Sequence, residues 1–436
     1  MRTPISLAAL IGLASLVSAG TITVGPNGSG ADFGSIQAAV NAAQPDDVIL
    51  IQPATYGTFT VNKPLRILAD GSGPVAIQTP QTTAIQVQGI AAGEELVISG
   101  LLVVQVPPFP PFVDPTYVRL QNNAGTVVLH DVRIDTPIHG VGLRIENCAR
   151  AVLLSCEVLK AGASSVESVQ NAVEVADSTV WIANSEITGG TSTFQASTLA
   201  GSDALSLAGS TLHLWRTRIE GGDASSGMLS QLVEPRGGHG VVATGSTLNL
   251  FGGPTTELQG GDGTVGFPFF PNSQGGSGLV LQGGSTARIQ AGIPIAGGFD
   301  ALGASQQVPI QTDASSSSTL DPAVFPSLAS GSQTVAQGDA FTLELSGNPA
   351  GFQVLFTSLG TGPDLVLQGV EGFGILDLAG LVQLATPTLD GAGSASLAFS
   401  APANPSIVGT TFLFQAAEAF GLQLAIGNPV LVAATM

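Results

Sequence analysis

The stretch STVWIANSEITGG, residues 178–190, returns as STLHLWRTRIEGG at 210–222 and, more loosely, as STLNLFGGPTTELQGG at 246–261. A phrase that recurs at a near-regular interval marks a stacked structural unit, and the unit settles the architecture before any single motif is weighed. Aligned on this phrase, the chain shows three short strands per unit. The first reads Val118-Arg119-Leu120, Leu143-Arg144-Ile145, Val173-Glu174-Val175, Leu205-Ser206-Leu207 and Leu279-Val280-Leu281. The second reads Val127-Val128-Leu129, Val152-Leu153-Leu154, Val180-Trp181-Ile182, Leu212-His213-Leu214 and Leu248-Asn249-Leu250. The third ends on Ile134, Leu159, Ile187, Ile219 and Leu258.

Within each strand apolar residues alternate with other types, the period of two that buries one face. The end of the second strand and the inward residue of the third are five positions apart in four consecutive units: Leu129 to Ile134, Leu154 to Leu159, Ile182 to Ile187 and Leu214 to Ile219. Three strands per turn, stacked like on like, predict a right-handed parallel β-helix filled by Leu, Ile and Val ladders. The pairs Gly189-Gly190, Gly221-Gly222, Gly260-Gly261 and Gly297-Gly298 mark where the chain turns out of each coil.

Upstream, ADFGSIQAAVNAAQPDDVILIQPATY (31–56) predicts a short amphipathic helix over 35–43, capped by Ser35 and followed by a strand over 48–51. The residues Asp32-Phe33, Ser35-Ile36-Gln37-Ala38-Ala39, Asp47-Val48-Ile49, Pro53-Ala54-Thr55-Tyr56 and Lys63-Pro64-Leu65 resemble the N-terminal cap and first coil of the pectin-lyase-like right-handed β-helix superfamily. That family usually carries Gly where Ala54 stands. The resemblance spans about residues 21–300 and implies the fold; it is nearly silent on chemistry, because the superfamily includes enzymes and inert scaffolds.

Coils are expected over 21–305. Residues 306–332 lose the repeat and read as a linker, and 333–436 carry short alternating strands such as Phe341-Thr342-Leu343-Glu344-Leu345 and Thr411-Phe412-Leu413-Phe414, which suggest a β-sandwich. A carbohydrate-binding module, an anchoring domain and a cap on the end of the β-helix all fit that sandwich.

Bulk composition agrees with an all-β chain. Of 436 residues only 10% are charged, 44% are apolar and 57 are glycine, a profile of many tight turns rather than long helices. Residues 1–19 hold one cation, Arg2, an apolar run over 5–17 and small residues Val17 and Ala19, which reads as a cleaved secretory signal. The expected location is outside the cell or on its surface, with no membrane span in the mature chain. A net charge of −19 excludes the basic stripe that nucleic-acid binding needs and disfavours acidic glycans unless calcium bridges the two. Cys148 and Cys156 are the only cysteines and are expected to be buried free thiols, since an extended strand between them holds them too far apart to bridge.

Unequal spacing locates the insertions. Successive first strands, Leu143, Val173, Leu205, Val241 and Leu279, are 30, 32, 36 and 38 residues apart, and the extra length falls between the third strand and the next first strand. Insertions at one corner line up along one face, often the binding face. Two carry Phe-Pro clusters, with Phe109 and Phe112 in one and Phe267, Phe269 and Phe270 in the other. These rings are candidates for stacking on sugars, against the alternative that they fold back on the coil.

The sharpest catalytic candidate is Gly238-His239-Gly240, which is similar to the Gly-His-Gly element of the polygalacturonase family. The position two residues before each first strand reads Asn171, Asp203, His239 in successive coils, so Asp203 and His239 are expected to be neighbours about 5 Å apart along the stack. In that family aspartates on preceding coils supply a general acid and activate water. Here its Asn-Thr-Asp element is replaced by Gln170-Asn171-Ala172, its Asp pair by Ser202-Asp203 and its Arg-Ile-Lys by Leu279-Val280-Leu281. One carboxylate cannot be both acid and base.

Asp131, Arg133 and Asp135 are expected to point outward as an ion-pair row, with Lys160 beside Asp135 on the following coil, and Glu186 is expected beside Arg218. His130 and His139 are isolated, no spacing suggests a zinc site, and Gly260-Gly261-Asp262-Gly263 is too short and unrepeated for a calcium-binding array. No cofactor is implied, and calcium has no motif. Two function classes follow: a non-catalytic exported β-helix protein binding a polysaccharide or cell-surface partner through its loop face, or a polysaccharide hydrolase or lyase. The missing second carboxylate and missing basic residue favour the first.

Overall fold

The recurring Ser-Thr pair sits at the corner between the first and second strands of each coil. In the computed structural model, Ser178, Ser210, Ser246 and Ser285 are buried at successive corners. Each hydroxyl donates to a carbonyl of its own turn, at 2.7–2.9 Å. Each also accepts the amide of the corner one coil earlier, from Cys148, Ser178, Ser210 and Ser246, at 2.9–3.2 Å. A buried amide left unpaired here would be costly, and the serine ladder satisfies one per coil. The residue before the serine is left-handed: Asp177, Gly209 and Gly245, at φ 47°, 58° and 58°. Asp and Gly are among the few types that tolerate that region.

The structure describes residues 5–6, 20–79, 83–105, 116–136, 140–160, 170–191, 200–224, 236–264, 273–303, 306–322, 325–349, 351–365, 370–371, 374–378, 381–404, 407–420 and 423–435. The expected signal over 1–19 lies outside these, apart from Ile5–Ser6. So do Phe109, Phe112, Phe267, Phe269, Phe270 and His139.

The fold is a parallel β-helix with three strands per coil, joined to a β-sandwich. For L-residues such crossovers take the right-handed sense. The first sheet runs from Phe59–Val61 to Ile310–Thr312, the second from Thr21–Val24 to Ser317–Asp321, and the third from Ala54–Tyr56 to Ile295–Ala296. Strands Thr116–His130 and Val141–Leu154 each run through a first and a second position without a break. The expected first-strand register holds, with Leu143 opposite Val173, then Leu205, Val241 and Leu279. The cap is also as expected: helix Ile36–Ala42 starts at Ser35, whose hydroxyl accepts the Ala38 amide.

Two expectations need correction. Leu129 pairs with Leu153, not Leu154, and Ile134 with Val158, not Leu159. A bulge between Asn123 and Thr126 puts one extra residue in the earlier coil, and a one-residue slip exchanges the two faces of a strand. Hydrophobicity could not reveal it, because the run over 151–154 is buried on both faces. Ala151 and Leu153 enter the coil core, while Val152 and Leu154 point out of it. The segment expected to be a linker over 306–332 also carries two more coil strands, Ile310–Thr312 and Ser317–Asp321, paired with Leu279–Gln282 and Thr286–Gln290.

The sandwich packs one sheet, containing Ser327–Ser330, Ala340–Ser346 and Ser394–Ser400, on a larger one that includes Phe352–Ser358, Thr411–Phe420 and Gln423–Thr435. Its core stacks Phe341, Phe399 and Phe414 at 5.6–6.1 Å. The outer face of the larger sheet, with Leu413, Leu431 and Ala433, lies on the outer face of the second coil sheet. The sandwich therefore covers the side of the solenoid.

Candidate functional site

With inward positions taken by Val118, Leu120, Leu143, Ile145, Val173 and Val175, the residues between them must point out of the first sheet. Gln86, Arg119, Arg144 and Glu174 are register mates on four successive coils, and Gln88, Gln121 and Glu146 form a parallel column two residues along. The two columns are bonded into a grid. Gln88 accepts from Gln86 and Gln121 at 3.0 and 2.8 Å. Arg119 meets Glu146 at 2.8 Å and Arg144 meets Glu174 at 2.6 Å, with the Arg144 side chain also 4.0 Å from Glu146. Asn171 donates to Glu174 at 3.4 Å. These charged side chains stay 26–37% exposed, so the grid is solvated on one side and held by a rigid sheet on the other.

A grid of amides, guanidiniums and carboxylates offers fixed donors and acceptors about 5 Å apart across coils and about 7 Å apart along strands. That suits hydroxyl-rich ligands. Gln86, Gln88, Arg119, Gln121, Arg144, Glu146 and Glu174 belong to no motif, although each is the middle residue of a first strand or two residues beyond it.

Asp203 and His239 are brought together as expected, and both are tied to backbone amides. The His239 amide donates to the Asp203 carboxylate at 2.7 Å, and the His239 Nδ1 accepts the Ser277 amide at 2.8 Å. An accepting Nδ1 places any ring proton on Nε2. Burial pushes the His239 pKa down, Asp203 opposes that and Arg236 adds to it. Asp223 and Asp262 repeat the device, accepting the amides of Asp262 and Phe299 at 2.7 and 2.8 Å. Each side chain ties down an amide of the next coil.

Beside this column the stems of the insertion loops form a layer made almost wholly of glycine. Amide-to-carbonyl bonds of 2.8–3.0 Å run Ser202 to Gly190, Gly222 to Ser202, Gly238 to Gly222, Gly261 to Gly238, Gly276 to Gly261 and Gly298 to Gly276, alternating between departing and returning stems. A Cβ at Gly238 would lie 2.0 Å from the Ser202 oxygen, and one at Gly261 2.1 Å from the Gly222 oxygen. Glycine is required here for close approach.

Compared with protein-family models and with curated protein sequences, the chain matches none. The residues themselves therefore carry the functional reading. Among the described residues no three His, Cys, Asp or Glu side chains are grouped to hold a metal ion, and no helix is long and apolar enough to cross a membrane.

The other described residues named from the sequence lie in ion pairs or in the interior. Arg133 pairs with Glu157 at 3.0 Å and Asp135 at 3.7 Å, and Arg218 with Glu220 at 2.7 Å and Glu186 at 3.2 Å. Asp135 is opposite Leu159, and Lys160 is opposite Thr136, one place from where it was expected. Cys148 and Cys156 are buried free thiols; burial raises both, Cys156 to about 12, which disfavours the thiolate. His130 is buried under the sandwich between Ser99 Oγ at 2.8 Å and Gln333 Oε1 at 3.0 Å.

Proposed function

We propose that this is an exported, non-catalytic β-helix protein of the pectin-lyase-like kind, which binds a glycan on its first-sheet face. The observation that carries the reading is the grid of Gln86, Gln88, Arg119, Gln121, Arg144, Glu146 and Glu174, ordered and half-exposed on a rigid sheet. Such a surface recognises hydroxyls without new ordering of its own side chains, which keeps the entropic cost of binding low. The engagement of Asp203 and His239 with next-coil amides supports a non-catalytic role. The apolar N-terminal run after Arg2 supports export.

One observation favours a second reading, a polysaccharide hydrolase or lyase: Glu146 and Glu174 stand on adjacent coils with Arg144 between them. Glycoside hydrolysis needs one carboxyl group to donate a proton, and here each carboxylate faces a guanidinium.

The test is to run the purified protein through gels cast with neutral and acidic polysaccharides, while assaying the same mixtures for reducing ends and unsaturated uronates. The proposal expects retardation by a glycan with no product. Product formation that disappears in Glu146→Gln or Glu174→Gln would make the protein an enzyme and place its acid on this face.

A further inference from the structure

The Gln121 strand continues over the corner to Thr126, and there the coil meets the sandwich in a cleft of about 430 Å³. Glu95, Thr126 and Arg150 line it as register mates on three successive coils. Glu94 adds a second carboxylate from the coil side, and Thr361 and Asp377 face them from the sandwich. The two domains are fastened at this point, since Glu95 accepts the Thr361 amide at 2.8 Å and also its hydroxyl at 2.5 Å. The Glu94 carboxylate accepts the Ala91 amide at 3.1 Å, so its position is set by its own turn. The small side chains of Ala124 and Ala149, both exposed, leave the cleft open.

We infer that this cleft is a second sugar-binding subsite, specific for an uncharged hydroxylated ring, and that it extends the glycan site of the first-sheet face across the corner. The inference rests on the glycan reading above. Carboxylates and a guanidinium grip adjacent hydroxyls of a sugar by charge-assisted hydrogen bonds, the Thr126 hydroxyl can both donate and accept, and Ala124 and Ala149 offer methyl groups to the ring's C–H face. The volume suits a mono- or disaccharide unit, and pockets of this kind favour domain boundaries. Charge sets the specificity: three carboxylates against one arginine repel uronates, in line with the net charge of −19.

The test is affinity electrophoresis of the full chain in gels containing a soluble β-glucan, a galactomannan, polygalacturonate or chitosan. The expected result is retardation by at least one neutral polysaccharide, cut at least fivefold in Ala149→Trp, which fills the cleft from an exposed position, and also reduced in Glu94→Gln. Unchanged melting temperatures of both variants exclude misfolding as the cause. Full retardation of both variants overturns the subsite but leaves the first-sheet face standing. Retardation only by polygalacturonate or only by chitosan overturns the neutral specificity, and with it the proposal. No retardation in any gel removes the glycan reading itself.

Discussion

The first and second sheets of the β-helix are built from the same coils, yet their outer faces are opposites. On the first, Gln86, Arg119, Arg144 and Glu174 are partly exposed. On the second, Val48, Leu68, Val97, Val128, Val152, Trp181, Trp215 and Phe251 are buried against Phe325, Leu413, Leu431 and Ala433. In a solenoid the inward ladders make the coil, and they look alike on every side. What a side does is written in its outward residues. A polar outer face is left for solvent or ligand, and an apolar one must be covered.

The covered face makes the largest prediction. Trp215 is fully buried; it stacks on Trp181 at 5.3 Å and meets the tilted ring of Phe251 at 4.9 Å, and Phe251 continues to Phe325 at 4.3 Å. The aromatic column thus runs from the coil into the segment that enters the sandwich. Trp215→Ala should cost about 3–5 kcal/mol, the usual range for removing a large buried aromatic, read as a lower urea midpoint and faster proteolytic release of the sandwich. A loss below about 1 kcal/mol would mean that the two domains do not depend on this column, and the contrast between the two faces would fail.

Acid should separate the faces next. His130 and His213 both lie at the covered interface, and burial lowers them to about 4 and about 3. His130 is faced by Ser99, Gln333 and the Leu431 backbone. His213 is faced by Trp181, Trp215 and Asn249, and the charge of Arg150 depresses it further. The folded state holds both rings neutral, whereas the unfolded chain takes up protons below about pH 6.5. Their contribution is therefore complete above pH 6.5 and falls away as the pH drops toward 4 and 3, by a few kcal/mol each at most. Urea midpoints measured from pH 7 to pH 4 should decline, and His213→Phe, which keeps the stack, should flatten the slope. An unchanged slope would mean that His213 is not held neutral under the sandwich.

The two outer faces were not equally legible. The inward ladders, the Ser35 cap and the glycine exits were plain in the sequence, because each obeys a local rule of period, cap or turn. The covered face was also written there, as Val128, Val152, Trp181 and Trp215 between inward residues. Counting each strand as having one buried face hid it. The slip at Leu153 and Val158 has the same origin, since a run apolar on both faces carries no register of its own and the bulge before Thr126 sets it from outside. Asp203 and His239 were correctly placed side by side, but not their bonds, because a family's catalytic pattern says nothing of which amides a side chain must satisfy. The register behind the Arg119–Glu146 grid was legible too, but the bond is diagonal, from the middle of one first strand to a residue two places along on the next coil, and aligning like with like does not display it.

The Asp203 column offers a smaller effect. Asp203→Ala removes the acceptor of the His239 amide, a charge-assisted bond at a half-buried position. It should cost about 1–2 kcal/mol, whereas Asp203→Asn keeps an acceptor and should cost less. The order of the two in chemical denaturation tests whether Asp203 serves the backbone. Equal losses would show that its charge matters rather than its bond.

The smallest stability effect should come from the open face, where it is most informative. Arg119→Ala breaks a 2.8 Å ion pair with Glu146 whose members are 37% and 30% exposed. Exposed pairs of this kind contribute about 0–1 kcal/mol, so the urea midpoint should barely move. Glycan retention should fall clearly in the same variant, because Arg119 belongs to the grid that meets the ligand. Stability and binding would then respond in opposite proportions on the two faces: Trp215→Ala lowers the first through packing, and Arg119→Ala lowers the second with the fold intact. If Arg119→Ala instead destabilised the chain as much as Trp215→Ala, the open face would be a structural surface like the covered one, and its polar grid would have to be explained by coil stacking alone.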